Sequence, residues 1–66
     1  MISYEPLWKT MKKKNISQYK LIHEHDISKS LLQRLRDNET ITTYTIDRLC
    51  QILECEVSDV LKFTPN

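Results

Sequence analysis

The sequence predicts an all-α fold, a compact domain of five short helices, and three observations carry that expectation. A two-residue signal recurs as Ile16-Ser17, Ile27-Ser28, Ile41-Thr42 and Val57-Ser58. In each pair an apolar residue precedes a hydroxyl suited to cap an orphan N–H of a helix's first turn. In the first three pairs an apolar residue, Leu21, Leu32 or Ile46, stands five positions after the first member, which is the spacing of a hydrophobic staple. The segments between the pairs carry apolar residues at helical spacing. Finally, the chain has no glycine, yet Asn15, Asp26 and Asn38 stand between those segments, where the left-handed turn conformation is needed and where Asn and Asp tolerate it best after glycine.

The first helix is expected at about 6–14. Pro6 suits its first turn, and Tyr4, Leu7, Trp8 and Met11 fall on one face. Lys12, Lys13 and Lys14 then sit at its negative dipole end, and Asn15 closes it. The second is expected at 18–24, opened by Gln18, with Leu21 and Ile22 as its apolar stripe. Asp26 marks the next turn, under some strain. Ile27 re-enters the core, Ser28 caps a third helix at 29–36, and Leu32 and Leu35 anchor it. A fourth is expected at 43–53 and a short fifth at 58–62. The ends, MISYE and KFTPN, have β character. They either form a short terminal β-ribbon or offer an edge to a second subunit. No repeat, low-complexity stretch or linker divides residues 1–66, so a single domain is expected.

At 66 residues the chain has room for one small core, with marginal stability and no large cleft. No run approaches the roughly 18 apolar residues of a membrane span, and the N-terminal segment places its apolar residues before its lysines, the reverse of a secretory signal. A soluble, cytoplasmic protein is expected. Cys50 and Cys55 lie five apart beside Leu49, Ile52 and Leu53, which reads as buried reduced thiols rather than as a disulfide framework or a zinc site. The net charge of +1 is unevenly placed. Residues 1–38 carry eight Lys and Arg against four acidic residues, and residues 39–66 carry two against five. A basic half and an acidic half suggest a side that faces a polyanion and a side that faces away.

The segment from Ser17 to Asn38 is the most informative. Two short helices joined by so tight a turn form a helix-turn-helix, which packs them at a steep angle and leaves the outer face of the second free for a DNA major groove. With Ser28 as cap, Leu32 and Leu35 turn inward, and Lys29, Ser30, Gln33 and Arg34 turn outward. Those four are the expected base-reading set. Lys29 or Arg34 suits guanine O6 and N7, Gln33 suits adenine N6 and N7, and Ser30 serves either base or a phosphate. Gln18 stands at a helix N-terminus, where its backbone N–H and amide are placed for a phosphate, and Tyr19 and Lys20 are expected to add contacts. Lys12 to Lys14 read either as long-range attraction for DNA or as dipole partners. Leu31 reads either as a contact to a thymine methyl or as packing against the neighbouring helix.

Taken together, ISYEPLW, LCQILEC, VSDVLKF and the five helix positions in register resemble the Cro/C1-type helix-turn-helix domain of phage repressors and bacterial regulators. The resemblance covers nearly the whole chain. It implies a lambda-repressor-like DNA-binding domain in a small transcriptional regulator, expected to be a repressor. It also implies that the loop and helix start at Thr40, Thr42, Thr43 and Tyr44 bind the phosphate backbone, with Thr42 serving mainly as a cap. Three positions depart from the family pattern: Ile22 stands for a small residue, Asp26 for the turn glycine, and His25 for an apolar residue.

One helix reads only a few base pairs, so a homodimer on a palindromic or repeated operator is expected. An enzyme would have to use His23, Glu24, His25 and Asp26, which lack the i, i+4 histidine pair of a zinc helix and any accompanying nucleophile. No enzymatic activity, cofactor, metal or small-molecule ligand is therefore expected. The alternative reading is a protein-interaction module, antitoxin-like or antirepressor-like, on the same fold; the acidic half and Leu31 support it.

Overall fold

The computed structural model describes residues 1–65; Asn66, the last residue of the expected domain, lies outside the described residues. In chain order the elements are β1 (Ile2–Ser3), α1 (Glu5–Lys13), α2 (Gln18–His25), α3 (Lys29–Arg36), α4 (Thr43–Leu53), a 3-10 turn (Val57–Asp59) and β2 (Lys62–Phe63). Three of the four expected cap signals act as read. Ser17 Oγ accepts from the Lys20 N–H at 3.1 Å, Ser28 Oγ from the Leu31 N–H at 3.1 Å, and Thr42 Oγ1 from the Thr45 N–H at 3.2 Å.

The fourth signal does not, and the expectation of five helices is corrected to four α-helices and one 3-10 turn. Five positions after Val57 stands Lys62, so this pair has no staple partner. Ser58 lies inside the turn instead of capping a helix, and the Asp59 carboxylate accepts from the Glu56 N–H at 3.0 Å. Residues 62 and 63 are drawn into β2, antiparallel to β1, with Ile2 opposite Phe63 and Ser3 opposite Lys62. The N-terminal ammonium extends this ribbon by donating to the Thr64 carbonyl at 2.6 Å. Between the two readings of the chain ends, the structure has them paired with each other.

The core is wholly apolar among the described residues. Tyr4, Leu7 and Met11 meet Leu21 and Ile27 of the α2 region, Leu32 and Leu35 of α3, Leu49 and Leu53 of α4, and Val60. Each such side chain contributes roughly 1.5–3 kcal/mol on burial. Ile22, the larger residue in the α2 stripe, is half-buried against this cluster.

Three helices end alike. The N–H of Ile16 reaches the Met11 carbonyl at 2.9 Å, that of Glu39 the Arg34 carbonyl at 2.9 Å, and that of Cys55 the Cys50 carbonyl at 3.1 Å. This is the six-to-one bond of a Schellman ending, which requires a left-handed residue just before its donor. Asn15 (φ 57°) and Asn38 (φ 55°) supply it as expected; Asp26 (φ 55°) is left-handed as expected too, but α2 ends differently, with the Asp26 and Ile27 N–H groups both reaching the Leu21 carbonyl. The sequence reading missed the fourth, Glu54 (φ 49°), which closes α4. Its carbonyl accepts from Lys14 Nζ at 3.1 Å.

The Schellman ending brings Cys50 and Cys55 to the same end of α4. Both are free thiols, half-buried where full burial was expected. Desolvation, followed by the neighbouring Cys50, pushes the Cys55 thiol up, which keeps it protonated and weakly reactive. No helix of the described residues is long and apolar enough to cross a membrane.

Candidate nucleic-acid interface

Leu32 and Leu35 seat α3 in the core, which leaves its other faces open. Two bonds fix the frame around it. Arg48 of α4 donates to the His25 carbonyl at 2.7 Å, holding the end of α2 against α4. Tyr4 donates from its hydroxyl to the Glu39 carbonyl at 2.6 Å and from its N–H to Asn38 Oδ1 at 3.1 Å, holding the turn after α3. The segment from Asn38 to Thr42 therefore stands as a wall beside α3.

Between that wall and α3 runs a groove of about 480 Å³, lined by Ser28, Ser30, Leu31, Arg34, Thr40, Ile41, Thr42 and Thr45. Both cap residues, Ser28 and Thr42, are in the lining, so the N-terminal ends of α3 and α4 meet here. Helix N-termini carry partial positive charge and unpaired N–H groups, which favour an anion. The hydroxyls are held in place by one another: Ser28 Oγ lies 3.1 Å from Ser30 Oγ, and Thr42 Oγ1 lies 3.0 Å from Thr45 Oγ1. Arg34 reaches across and donates to the Thr40 carbonyl at 3.4 Å, a long and exposed contact. Hydroxyls, N–H groups and one cation, flanked by the apolar Leu31 and Ile41, form a surface suited to phosphate and base edges.

The expected site residues divide between this groove and its surroundings. Ser30, Arg34 and Thr40 line it together. Lys29 is exposed at the first position of α3, and Thr43 and Tyr44 are exposed on the first turn of α4, all outside the lining. Gln18 and Lys20 are half-buried on α2, whereas Tyr19 is 71% exposed with its ring centroid 4.1 Å from that of His23. Gln33 is exposed and joined to Gln18 through Arg36, which donates to Oε1 of both; the Gln33 contact is 3.0 Å. Leu31 packs against the core with part of its side chain in the groove wall, the second of its two expected readings.

Four residues of this surface were missed in the sequence: Arg36, Asp37, Ile41 and Thr45. Two had a local signal. Arg36 follows Gln33 by three positions and shares its helix face, and Thr45 follows Thr42 by three. Lys14 is engaged elsewhere: its ammonium sits on the Glu54 carbonyl at the far end of α4. An 11-residue helix spans roughly 16 Å, so this lysine is about that far from the groove. Among the described residues no three His, Cys, Asp or Glu side chains form a group that could hold a metal ion.

Comparison with protein families matches residues 6–66 to the model of the Cro/C1-type HTH DNA-binding domain. Among solved structures, a crystal structure of transcriptional regulator VanUg (form II) superposes with a TM-score of 0.87 at 26% identity, covering 98% of this chain and 87% of that one. No curated protein sequence matches the chain.

Proposed function

The chain belongs to the family of Cro/C1-type HTH DNA-binding domains, and from that premise we propose that it binds double-stranded DNA sequence-specifically as a small transcriptional repressor. α3 is the major-groove element in this reading. Lys29, Ser30, Gln33 and Arg34 read base edges, and Gln18, Tyr19, Lys20, Thr40, Thr43 and Tyr44 hold phosphates on either side. The observation that carries it is the groove beside α3, where two helix N-termini, their cap hydroxyls and Arg34 converge. The lining sets five hydroxyl residues and Arg34 beside the apolar Leu31 and Ile41, with no carboxylate, a mixture that fits phosphates and base edges, thymine methyls included.

Two copies on two half-sites complete the proposal, because one α3 spans only a few base pairs. The exposed apolar side chains of the terminal ribbon, Met1, Ile2 and Phe63, favour association of copies. The experiment is selection of bound sequences from a random duplex library at about 50 mM salt. Enrichment of a motif with two related half-sites about one helical turn apart is the expected result. A protein that retains no duplex at that salt, where phosphate contacts are strongest, is not a DNA-binding regulator, and the interaction-module reading then takes its place.

A further inference from the structure

Four side chains, the half-buried Gln18 and the exposed Gln33, Arg36 and Asp37, form one hydrogen-bonded run from α2 across α3 to the residue that follows it. Arg36 Nη1 donates to Oε1 of Gln18, Arg36 Nη2 donates to Oε1 of Gln33 at 3.0 Å, and Gln33 Nε2 donates to Asp37 Oδ2 at 3.0 Å. A guanidinium can only donate and an ionised carboxylate can only accept. Only one orientation of the Gln33 amide satisfies both neighbours; flipping it sets two donors against each other and two acceptors against each other. The Gln18 amide is fixed in the same way, with its oxygen toward Arg36 and its NH2 left to donate outward.

We infer that Arg36 is a positioning residue for DNA recognition: it sets the polarity of the Gln33 amide toward a base and of the Gln18 amide toward a phosphate. The inference rests on the DNA-binding reading above. Bidentate contact to adenine needs a glutamine whose oxygen and nitrogen lie on defined sides. An amide free to rotate through both orientations presents the wrong one part of the time and loses discrimination. The two contacts leave Arg36 from different nitrogens to reach two separate oxygens. A lysine ammonium offers its three hydrogens from a single point and does not reproduce that span.

The test is a double-mutant cycle read as base discrimination, using wild type, Q33A, R36A, the Q33A/R36A pair and R36K on the selected duplex and on the duplex altered at the Gln33-dependent base pair. Wild type is expected to discriminate by about 5- to 150-fold, and Q33A to abolish that preference. R36A should lose several-fold of it, and the pair should lose no more than Q33A alone. R36K should recover the general affinity that depends on charge while leaving discrimination reduced. Side-chain amide NMR signals of Gln18 and Gln33 should also shift in free R36A, with helicity unchanged.

Equal weakening of R36A on both duplexes, or full recovery of discrimination by R36K, makes Arg36 a plain phosphate-attracting charge and overturns the inference while DNA binding stands. Wild type that binds no duplex at low salt overturns both.

Discussion

The phenol oxygen of Tyr4 lies 2.6 Å from the carbonyl oxygen of Glu39 and donates to it, so the residue just before α1 anchors the first step of the wall beside α3. Tyr4 is 2% exposed, and its backbone N–H also binds Asn38 Oδ1. Asn38 is one of the left-handed residues. Its side chain is thus held by the residue whose hydroxyl holds the next carbonyl, and the N-terminal segment is tied to the start of the Asn38–Thr42 wall at two points.

Tyr4→Phe removes only the hydroxyl and leaves a partly buried carbonyl without its donor. A cost of about 1 kcal/mol is expected, seen in calorimetry as a melting temperature lower by about 4–8 °C. Burial also raises the Tyr4 pKa above its ordinary value near 10. The unfolded chain then loses its phenolic proton first, so this contribution is intact below about pH 10 and is lost as pH rises through the folded value. The stability gap between wild type and Tyr4→Phe should narrow above about pH 10 in urea titrations. A constant gap would show that the hydroxyl is not shielded.

Glu5 gives the opposite sign at the acid end. Hydrogen bonds from Lys9 (3.1 Å) and then Lys62 (3.3 Å), with the charge of both, hold its carboxyl below the usual carboxylate range. That contribution is present above the unfolded pKa and lost as pH falls through the folded one. The pair is exposed, so its effect on stability is small, and NMR titration of the carboxyl carbon is the fitting measurement. Lys62→Ala should move the Glu5 midpoint up toward the ordinary value, and raised salt should do the same.

Leu32 separates folding from recognition. It is 1% exposed in the centre of the core, while Gln33 beside it is exposed. Leu32→Ala is expected to cost about 2–5 kcal/mol. A domain of this size holds about 3–10 kcal/mol in all, so much of the helical circular dichroism should be lost at 37 °C. Gln33→Ala should leave the melting curve within a few degrees of wild type. A Leu32→Ala protein as stable as wild type would contradict the packing of α3.

The elements that were legible in the sequence are those fixed by neighbours in sequence. Ser17, Ser28 and Thr42 each cap the helix that follows, and Leu21, Leu32 and Ile46 stand at staple distance, so three helix starts could be read directly. Asn15, Asp26 and Asn38 declared their left-handed turns by residue type. Glu54 did not, because its conformation is imposed by the six-to-one bond from Cys55 and by Lys14, which is 40 residues away. At the interface the outward residues of α3 followed from helix phase. The bridge from Arg36 to Gln18 joins residues 18 apart across a tertiary crossing, and no local spacing announces it. Thr45 shows its link to Thr42 by helical spacing, but its place in the groove depends on α4 starting beside α3.

Glu54 should accordingly be a site where glycine stabilises. A residue with a Cβ in the left-handed region costs roughly 1–2 kcal/mol, partly offset in the variant by the greater freedom of glycine in the unfolded chain, about 0.5–1 kcal/mol. Glu54→Gly should gain about 0.5 kcal/mol and raise the melting temperature by a few degrees. Its position at the far end of α4 from the groove means that duplex affinity should stay the same. A lower melting temperature would mean that the Glu54 side chain contributes more than its backbone costs.

Two lysines of the basic half test where DNA lies. Lys29 is exposed at the start of α3, next to the cap residue that lines the groove, whereas Lys14 binds the Glu54 carbonyl roughly 16 Å away along α4. Each phosphate contact contributes about −0.9 to the slope of log affinity against log salt. Lys29, proposed to read base edges, still carries its charge into the groove between the two phosphate backbones, so Lys29→Ala should reduce the magnitude of that slope by up to about one. Lys14→Ala should leave the slope unchanged, even though both variants lower the net charge by the same amount. Equal effects from the two would mean that the protein meets DNA through its overall charge and not through the face that α3 presents.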